Sequence, residues 1–330
     1  MPTISDVASL AGLSRATVSR VINNHPYVTK EKKELVMDAM KQLGYFPNTS
    51  AQNLRKQKTD TIAVLVPRLT NPFFTHLVES LEDRAAEYGL QILICNTKYD
   101  KKRELEFLYL LKTKQVDGII MTSIENNWSQ IEEITMNGPI VLCNEYITGA
   151  NVSSVRLNQL EGGYIGTHHL IQKGHTKIGY CWGGVLSGLS YDRFEGYRKA
   201  LAGQGLSINE NWLFEGVFSI DDGRRVLNEI SEMYDRPTAL FTGSDEVAAG
   251  IISEAKKKGL HVPGDIAVIG FDDQPIAEVI EPALTTIRQP ISEIGKKTME
   301  VMIELLSKKN QSDEHQIYEL PLQLIARESS

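Results

Sequence analysis

Apolar side chains recur at the three- and four-residue spacing of amphipathic helices through the first 43 residues. They predict a helix over residues 4–11 that ends before Gly12, and a second helix from Arg15 to about residue 23 with Ser14 as its N-cap. A third helix is predicted over residues 30–43. The residues expected to close a three-helix core from this third helix are Leu35, Val36, Ala39, Met40 and Leu43.

The second predicted helix has one apolar side and one small, basic side when its residues are placed around a helical axis. The two sides are formed by Val18, Val21 and Ile22 and by Arg15, Ala16, Ser19 and Arg20, respectively. A helix with such an exposed side can enter the major groove of DNA, where arginine pairs with guanine through two hydrogen bonds. The alternative from the pattern alone is an ordinary pair of packed helices.

From Thr61 onward, short β-branched runs alternate with helical segments such as 73–88 and 246–258. This alternation is typical of parallel sheets covered by helices, and about 270 residues suffice for two of them. We therefore predict an α/β body made of two doubly wound parallel-sheet lobes. The predicted strands are residues 62–66, 92–95, 116–121, 140–143, 178–182, 239–241 and 266–271.

The composition is that of an ordinary folded protein, with 42% hydrophobic and 23% charged residues among 330. At roughly 100–200 residues per domain, this length predicts two or three folding units. No run approaches about 18 apolar residues and the start lacks a secretory pattern, so we expect a cytoplasmic protein without membrane contact. Cys95, Cys143 and Cys181 are far apart, which predicts free thiols.

Charge is distributed unevenly along the chain. Residues 1–58 carry nine basic and four acidic side chains, a net charge of +5, whereas residues 59–330 carry 26 basic and 38 acidic ones, a net charge of −12. A basic head on an acidic body is the distribution expected of a protein whose head approaches phosphate. Residues 48–59 are mostly polar, and Leu54 is their only large apolar residue.

Several fixed-spacing motifs resemble the head of the LacI/GalR family of bacterial transcription regulators. They are TISDVA at 3–8, AGLS at 11–14, TVSRVIN at 17–23 and GYxPN at 44–48. The resemblance implies that Arg15, Ala16 and Arg20 read base edges. The residues that it implies for DNA-backbone contact and support are Thr3, Ser14, Thr17, Ser19, Asn23 and Tyr45.

The same resemblance implies that residues 51–56 form a hinge helix that contacts the minor groove through Ala51, Asn53 and Leu54. Leu54 would be a wedge that, with its counterpart from a second subunit, unstacks a base step and kinks the duplex. A segment this short is below the roughly 12–15 residues that an isolated helix needs. We therefore expect the hinge to order only when two hinges pair on DNA.

The resemblance sets the expected boundaries of a periplasmic-binding-protein-like chain. These are a helix-turn-helix head at 1–47, a hinge and linker at 48–59, and an effector-binding and dimerisation domain at 60–330, with an amino lobe at about 60–157 and 290–318 and a carboxyl lobe at about 158–289 and 319–330.

Polar residues at predicted strand ends indicate a ligand site, because open parallel sheets bind ligands beyond the carboxyl ends of their strands. Asp272 directly follows a predicted strand, and Arg193 lies in the segment after another. A carboxylate and a guanidinium suit the paired hydroxyls of a sugar. The alternative is a purely structural ion pair between Arg193 and Asp272.

The family resemblance implies a longer set of effector contacts, namely Phe73, Phe74, Asn158, Arg193, Phe218, Ser244 and Asp272. Asn158 and Ser244 stand where the family often has aspartate and asparagine, so an unusual ligand, or none, is expected. The chain also resembles the catabolite-control branch, whose members can bind a phosphorylated carrier protein. Glu300 lies where a basic residue would meet that phosphate, so such a partner is not expected.

Enzymatic motifs are absent from the sequence, including the P-loop, the H-E-x-x-H zinc motif and the nucleophile elbow. His168 and His169 are adjacent on a predicted helix, a poor arrangement for joint metal ligation. Asp272 and Asp273 should point in opposite directions on leaving a strand. We predict no enzyme, cofactor or metal ion.

Together these observations predict a homodimeric repressor of carbohydrate-related genes that binds a palindromic operator. A small-molecule effector, a sugar or sugar phosphate, would modulate its affinity for DNA. No heptad tail follows the body, which favours a dimer over a coiled-coil tetramer. Two alternatives are a ligand-independent or protein-corepressor-dependent regulator with a vestigial pocket and, more distantly, a cytoplasmic sugar-binding protein.

Overall fold

The computed structural model describes residues 2–23, 25–46, 58–183, 188–307 and 315–330. The chain divides into two compact units, Met1–Lys58 and Thr59–Ser330. The predicted hinge residues Ala51, Asn53 and Leu54 lie outside the described residues.

In the described residues of the first unit, the helices are α1 Ile4–Ala11, α2 Arg15–Ile22 and α3 Lys30–Leu43. Their ends follow local signals. The Thr3 side chain caps α1 in a capping box with Asp6, and Gly12 ends the helix with φ 63°, a left-handed conformation that favours glycine. The side chain of Ser14 caps α2 by accepting the Thr17 N–H, as predicted.

The core of the head is small and built from all three helices. Its fully buried members include Val7, Val18 and Val36. Leu35 was predicted to belong to this core but is 45% exposed, so that prediction is wrong. Val36 and Ala39 fill the inward stripe of α3, which leaves the neighbouring position 35 on the helix flank.

The second unit contains two six-stranded sheets. The amino-lobe sheet has the order β11-β5-β4-β3-β1-β2, with all neighbours parallel. Its strands are β1 Thr61–Val66, β2 Gln91–Asn96, β3 Gly118–Met121, β4 Ile140–Cys143, β5 Ser153–Leu157 and β11 Ile317–Leu320. The helices around it are α4 Pro72–Ala86, α5 Lys101–Lys112, α6 Trp128–Thr135 and α12 Ile291–Ser307.

The carboxyl-lobe sheet has the order β12-β10-β9-β8-β6-β7, in which only β12 runs antiparallel to its neighbour among the described strands. Its strands are β6 Ile178–Cys181, β7 Leu213–Phe214, β8 Ala239–Thr242, β9 Ala267–Asp272, β10 Thr285–Arg288 and β12 Gln323–Ile325. Its helices are α7 Gln159–Gln172, α8 Gly188–Ala202, α9 Ile220–Glu232, α10 Asp245–Lys257 and the short α11 Ile276–Val279.

The doubly wound body that the sequence predicts is therefore confirmed. Central strands are buried on both faces, and apolar residues of each sheet pack against the helices on its two sides. The chain crosses between lobes after β5, after β10 and between β11 and β12. The last crossing differs from the expected boundary at 318, because β11 continues in the amino-lobe sheet to Leu320. No described helix is both long and apolar enough to span a membrane.

Candidate functional site

In the head, helix α2 presents the side predicted to read DNA to solvent. Arg15, Ala16 and Arg20 are exposed, while Val18 and Val21 are buried against the other helices. The hydrophobic core therefore fixes which side of α2 faces outward. Two guanidinium groups and one methyl group on an exposed helix side match the contacts that major-groove readers use.

The residues predicted to support DNA-backbone contact cluster at helix ends. Ser14 Oγ lies 3.2 Å from the Thr17 amide nitrogen and 2.9 Å from Thr17 Oγ1. At the other end of α2, Asn23 Nδ2 donates to the carbonyl oxygen of Ser19 at 2.6 Å. Tyr45 is half-buried against the head core. These contacts fix the ends of α2, and the roles of the residues toward DNA remain predictions.

In the second unit, a cavity of about 360 Å³ opens between the carboxyl ends of the two sheets. Its volume lies in the range of small-molecule sites. The predicted effector residues that line it are Phe73, Phe74, Arg193, Phe218, Ser244 and Asp272. Asn158 does not line it. Its side-chain oxygen accepts the Glu161 N–H and caps α7, so this residue acts on the helix end instead.

Arg193 is held in the cavity wall by neutral groups. Its Nε donates to Gln159 Oε1 at 2.6 Å, its Nη1 to the Gly243 carbonyl oxygen at 3.4 Å, and its guanidinium lies 3.6 Å from the ring centroid of Phe271. Burial lowers the pKa of Arg193, an effect that Asp272 opposes. These contacts therefore fix the orientation of the guanidinium group, but its three partners are neutral and do not balance its positive charge.

Asp272 is oriented by backbone geometry and by two glutamines. Its φ of 107° is unusual for a residue other than glycine, and its oxygens accept hydrogen bonds from Gln289 Nε2 at 2.5 Å and Gln274 Nε2 at 3.0 Å. Burial raises the pKa of Asp272 to about 6, although Arg193 and both glutamines lower it. Asp273 turns away and forms ion pairs with Arg288 and Arg327.

Arg193 and Asp272 do not form the structural ion pair that was the alternative to a ligand site. Among the described residues, neither is within ion-pair distance of an opposite charge. A chain of hydrogen bonds joins them instead, from Arg193 through Gln159, Asn144 and Gln289 to Asp272. The space between them stays open to the cavity.

Sequence reasoning missed two carboxylates in the cavity, Glu125 and Glu145. The pKa of Glu145 is raised to about 8, chiefly by burial and then by the negative charge of Glu125, while the Tyr146 N–H and Arg193 act to lower it. Burial likewise raises the pKa of Glu125. The signal available in the sequence was their position, since both follow predicted strands that are neighbours in the sheet.

Arg68, also missed, joins the two lobes across the cavity mouth. Its Nη1 donates to the carbonyl oxygen of Phe218 at 2.8 Å, and its Nη2 lies 3.6 Å from Glu246 Oε2. Nearby, the rings of Tyr99 and Phe218 lie 6.2 Å apart between centroids. These contacts bridge the amino and carboxyl lobes, so the cavity is bounded by groups from both lobes.

The remaining predicted positions have local partners. Ser244 lines the cavity but also caps α10, since its Oγ accepts the Val247 N–H. His169 Nε2 lies 3.0 Å from Ser330 Oγ, and His168 stacks on a tyrosine. Glu300 on α12 pairs with Arg84 at 3.2 Å. Within the described ranges, no group of three or more His, Cys, Asp or Glu side chains is placed to hold a metal ion.

A helical head with an exposed basic recognition helix, followed by a two-lobed α/β body around a cavity, defines the class of ligand-binding DNA-binding regulators. Residues 3–48 match the profile of bacterial regulatory proteins of the lacI family. Residues 59–328 match that of the periplasmic binding proteins and sugar binding domain of the LacI family. The chain belongs to the LacI family.

Relatives match along the whole length. The chain is 46% identical over 330 residues to the NTD biosynthesis operon regulator NtdR of Bacillus subtilis strain 168, with both chains fully covered. It is 34% identical to the transcriptional repressor PurR of Vibrio cholerae M66-2, covering all of this chain and 98% of the relative. Its fold resembles the regulator CelR in complex with cellobiose, with a TM-score of 0.74, 28% identity and full coverage of both chains.

A sucrose-bound LacI-family regulator from Lactobacillus casei is also similar, with a TM-score of 0.75 and 30% identity. That match covers 82% of this chain and 99% of the other. The resemblance to LacI-like regulators, the fold class and the DNA-binding function predicted from the sequence are thereby confirmed.

Proposed function

We propose that this protein is a homodimeric, cytoplasmic repressor of carbohydrate-related genes that grips a palindromic operator and responds to a small-molecule effector. The observation that carries the proposal is the outward side of α2, where Arg15, Ala16 and Arg20 are exposed over a buried apolar stripe. In the proposal these three side chains read base edges, and the helix-end residues Thr3, Ser14 and Asn23 support contact with phosphates.

Dimerisation through the amino lobe is part of the proposal. One small head makes too few contacts for operator affinity, and two-fold symmetry matches two half-sites. Strand β2 is the proposed interface strand, because it lies at the edge of its sheet. Its residues Leu93 and Ile94 are 41% and 46% exposed. An apolar edge strand that faces water is a ready surface for a second copy.

The cavity is the proposed effector site. Arg193 and Asp272 face it without pairing to each other, so a ligand that bridges them would satisfy both. Ligand contact with groups of both lobes would change their relative placement and, through the hinge, the affinity for DNA. A coupling of about 1–3 kcal/mol would alter operator affinity roughly 5- to 150-fold. The proposal assigns no catalytic step to this cavity.

A gel-shift assay tests the DNA-binding part of the proposal. Wild type is compared on a LacI-type palindrome with Arg20→Ala, Leu54→Ala and, as a control, Lys41→Ala on α3. We expect the first two variants to lose at least about tenfold in affinity and the control to lose much less. Wild-type affinity in both Arg20→Ala and Leu54→Ala would overturn the assignment of the head and hinge.

Arg193→Ala tests the effector site independently. We expect it to bind operator normally but to be insensitive to whichever compound releases or strengthens binding by the wild type. A screen by thermal shift with glucose, ribose, sucrose, cellobiose and glucose 6-phosphate supplies the first probes. Calorimetry that gives the same ligand affinity for wild type and variant would remove Arg193 from the site.

A further inference from the structure

Resting on the proposed effector function, we propose that the cavity selects an amino sugar, with hydroxyls between Arg193 and Asp272 and a protonated amine against Glu145 and Glu125. This inference names a ligand class more narrowly than a sugar or sugar phosphate. It follows from the positions of the ionisable and polar residues that line the cavity.

Glu125 and Glu145 lie on the same wall of the cavity. Strands β3 and β4 are parallel neighbours, paired from Ile119–Ile140 to Met121–Leu142. The segments that leave their carboxyl ends therefore meet at one edge of the sheet, and they bring Glu125 and Glu145 to the same amino-lobe wall of the cavity. Arg193 and Asp272 belong to the carboxyl lobe, so the two pairs of groups can contact different parts of one ligand.

Carboxyl groups outnumber guanidinium groups in the cavity wall. Among the described residues that line it, five carry one of these groups, two arginines and three acidic residues. Arg68 already has Glu246 at 3.6 Å, and Arg193 acts electrostatically mainly on Asp272. Arg193 acts on Glu145 as well, but the two do not form an ion pair. Lys101 acts on Glu125 from an exposed position, but no ion pair joins them among the described residues.

Glu145 is the better defined of the two carboxylates. Only 6% of it is exposed, and it lines the cavity. Burial and Glu125 raise the pKa of Glu145 to about 8, so the surroundings disfavour its charged form. An ammonium group in the cavity would favour the charged form again. Such a group satisfies a buried carboxylate where a neutral hydroxyl does so less well.

A buried hydroxyl without a hydrogen-bond partner in the described residues lies in the same wall. Ser123 is 7% exposed, lines the cavity, and its hydroxyl has no hydrogen-bond partner in the described residues. Buried polar groups are rarely left unpaired, and a partner supplied by a ligand is one explanation. The Ser123 hydroxyl can accept a hydrogen bond from the same ammonium group. The Ser123 hydroxyl and the carboxyl groups of Glu125 and Glu145 are hydrogen-bond acceptors on one wall of the cavity. They favour a cation with several hydrogen-bond donors and disfavour phosphate, which is an anion.

Isothermal titration calorimetry tests this inference with matched pairs of sugars. The probes are 2-amino and 3-amino hexoses and their disaccharides, each beside its neutral parent, and glucose 6-phosphate as an anion. We expect at least one amino sugar to bind about tenfold or more tightly than its neutral parent, and the phosphate not to bind. Glu145→Gln should remove that advantage, so that each amino sugar and its neutral parent bind with the same affinity.

Glu133→Gln, an exposed substitution on α6 of the same lobe, is the matched control and should behave as wild type. The inference is overturned if every amino sugar binds no better than its parent, or if Glu145→Gln keeps the full advantage. A gel shift with the same proteins distinguishes failure of the amino-sugar inference from failure of the proposed function. If the wild type binds operator and only a neutral sugar releases it, the amino-sugar inference is wrong and the proposed function is retained. If the wild type does not bind operator, the proposed function itself is contradicted.

Discussion

Helices α7 and α8 approach each other so closely at Gly163 that this position accepts no larger side chain. A Cβ built there would stand 2.0 Å from the carbonyl oxygen of Arg193, where ordinary contacts are 3.4–4 Å. The reciprocal contact is as tight, since a Cβ at Gly196 would stand 2.1 Å from the carbonyl oxygen of Leu160. Because both obstacles are backbone atoms, Gly163→Ala must push α8 away from α7.

The expected loss of stability follows from two opposing contributions. Overpacking of a closely packed site costs about 1–3 kcal/mol, and the clash with backbone puts Gly163→Ala at the upper end. Alanine in a helix interior is favoured over glycine by about 1 kcal/mol, which offsets part of that cost. We therefore expect a net decrease of about 1–2 kcal/mol in the free energy of unfolding.

The assay is urea unfolding of the full chain followed by tryptophan fluorescence, since Trp182 and Trp212 lie in the carboxyl lobe and report its unfolding. Gly188→Ala is the control on α8, because a Cβ at Gly188 would meet nothing within 4 Å. That variant should lie within about 0.5 kcal/mol of wild type. Equal stability of Gly163→Ala and Gly188→Ala would refute the reasoning.

A second consequence concerns the cavity. Displacement of α8 lengthens the 2.6 Å hydrogen bond that orients Arg193 on Gln159. Gly163→Ala should therefore weaken effector binding in calorimetry, whereas Gly188→Ala should not. Undiminished affinity in a destabilised Gly163→Ala protein would mean that Arg193 keeps its place without the close packing of α7 and α8.

Three further predictions test other parts of the chain. The folded protein holds a proton on Glu145 up to about pH 8, whereas the unfolded chain releases it near the ordinary pKa of 4.5, so stability falls as pH rises between these values. Glu145→Gln should therefore gain roughly 1–3 kcal/mol relative to wild type between pH 5 and pH 8 in urea titrations, and a constant difference would contradict this. Ser14→Ala should cost about 1 kcal/mol in the head, seen as faster amide exchange of α2, while Ser14→Gly costs only a few tenths. Ile94→Lys should weaken self-association in sedimentation equilibrium, and unchanged association would exclude β2 from the interface.

The head could be predicted almost residue by residue because its signals are local. The cap at Ser14 and the glycine at position 12 act within one helical turn, so the observed helices begin and end where expected. Leu35 was misassigned because helical spacing alone does not say which edge of an apolar stripe faces the neighbouring helix. That choice depends on how α3 packs against α1 and α2.

The body could be predicted less completely because several strands depend on partners far along the chain. Strand β5 has the sequence SSVRL and lacks an apolar run, yet Ser153 and Ser154 are buried in it. Pairing with β4 on one side and with β11, more than 150 residues later, stabilises it. The cavity carboxylates were missed for a similar reason. Both residues follow predicted strands, but that position alone does not show that β3 and β4 are neighbours.

The hydrogen-bond chain between Arg193 and Asp272 explains how occupancy of the cavity can reach the connections between lobes. Gln159 and Gln289 follow the strands β5 and β10, where the chain crosses from one lobe to the other. Asn144, at the end of β4, joins the two glutamines at 3.1 and 3.4 Å. In the proposed function, a ligand that moves Arg193 or Asp272 would therefore displace residues at two of the three crossings. Since packed lobes shift between discrete arrangements, that displacement would be transmitted as a change in lobe orientation.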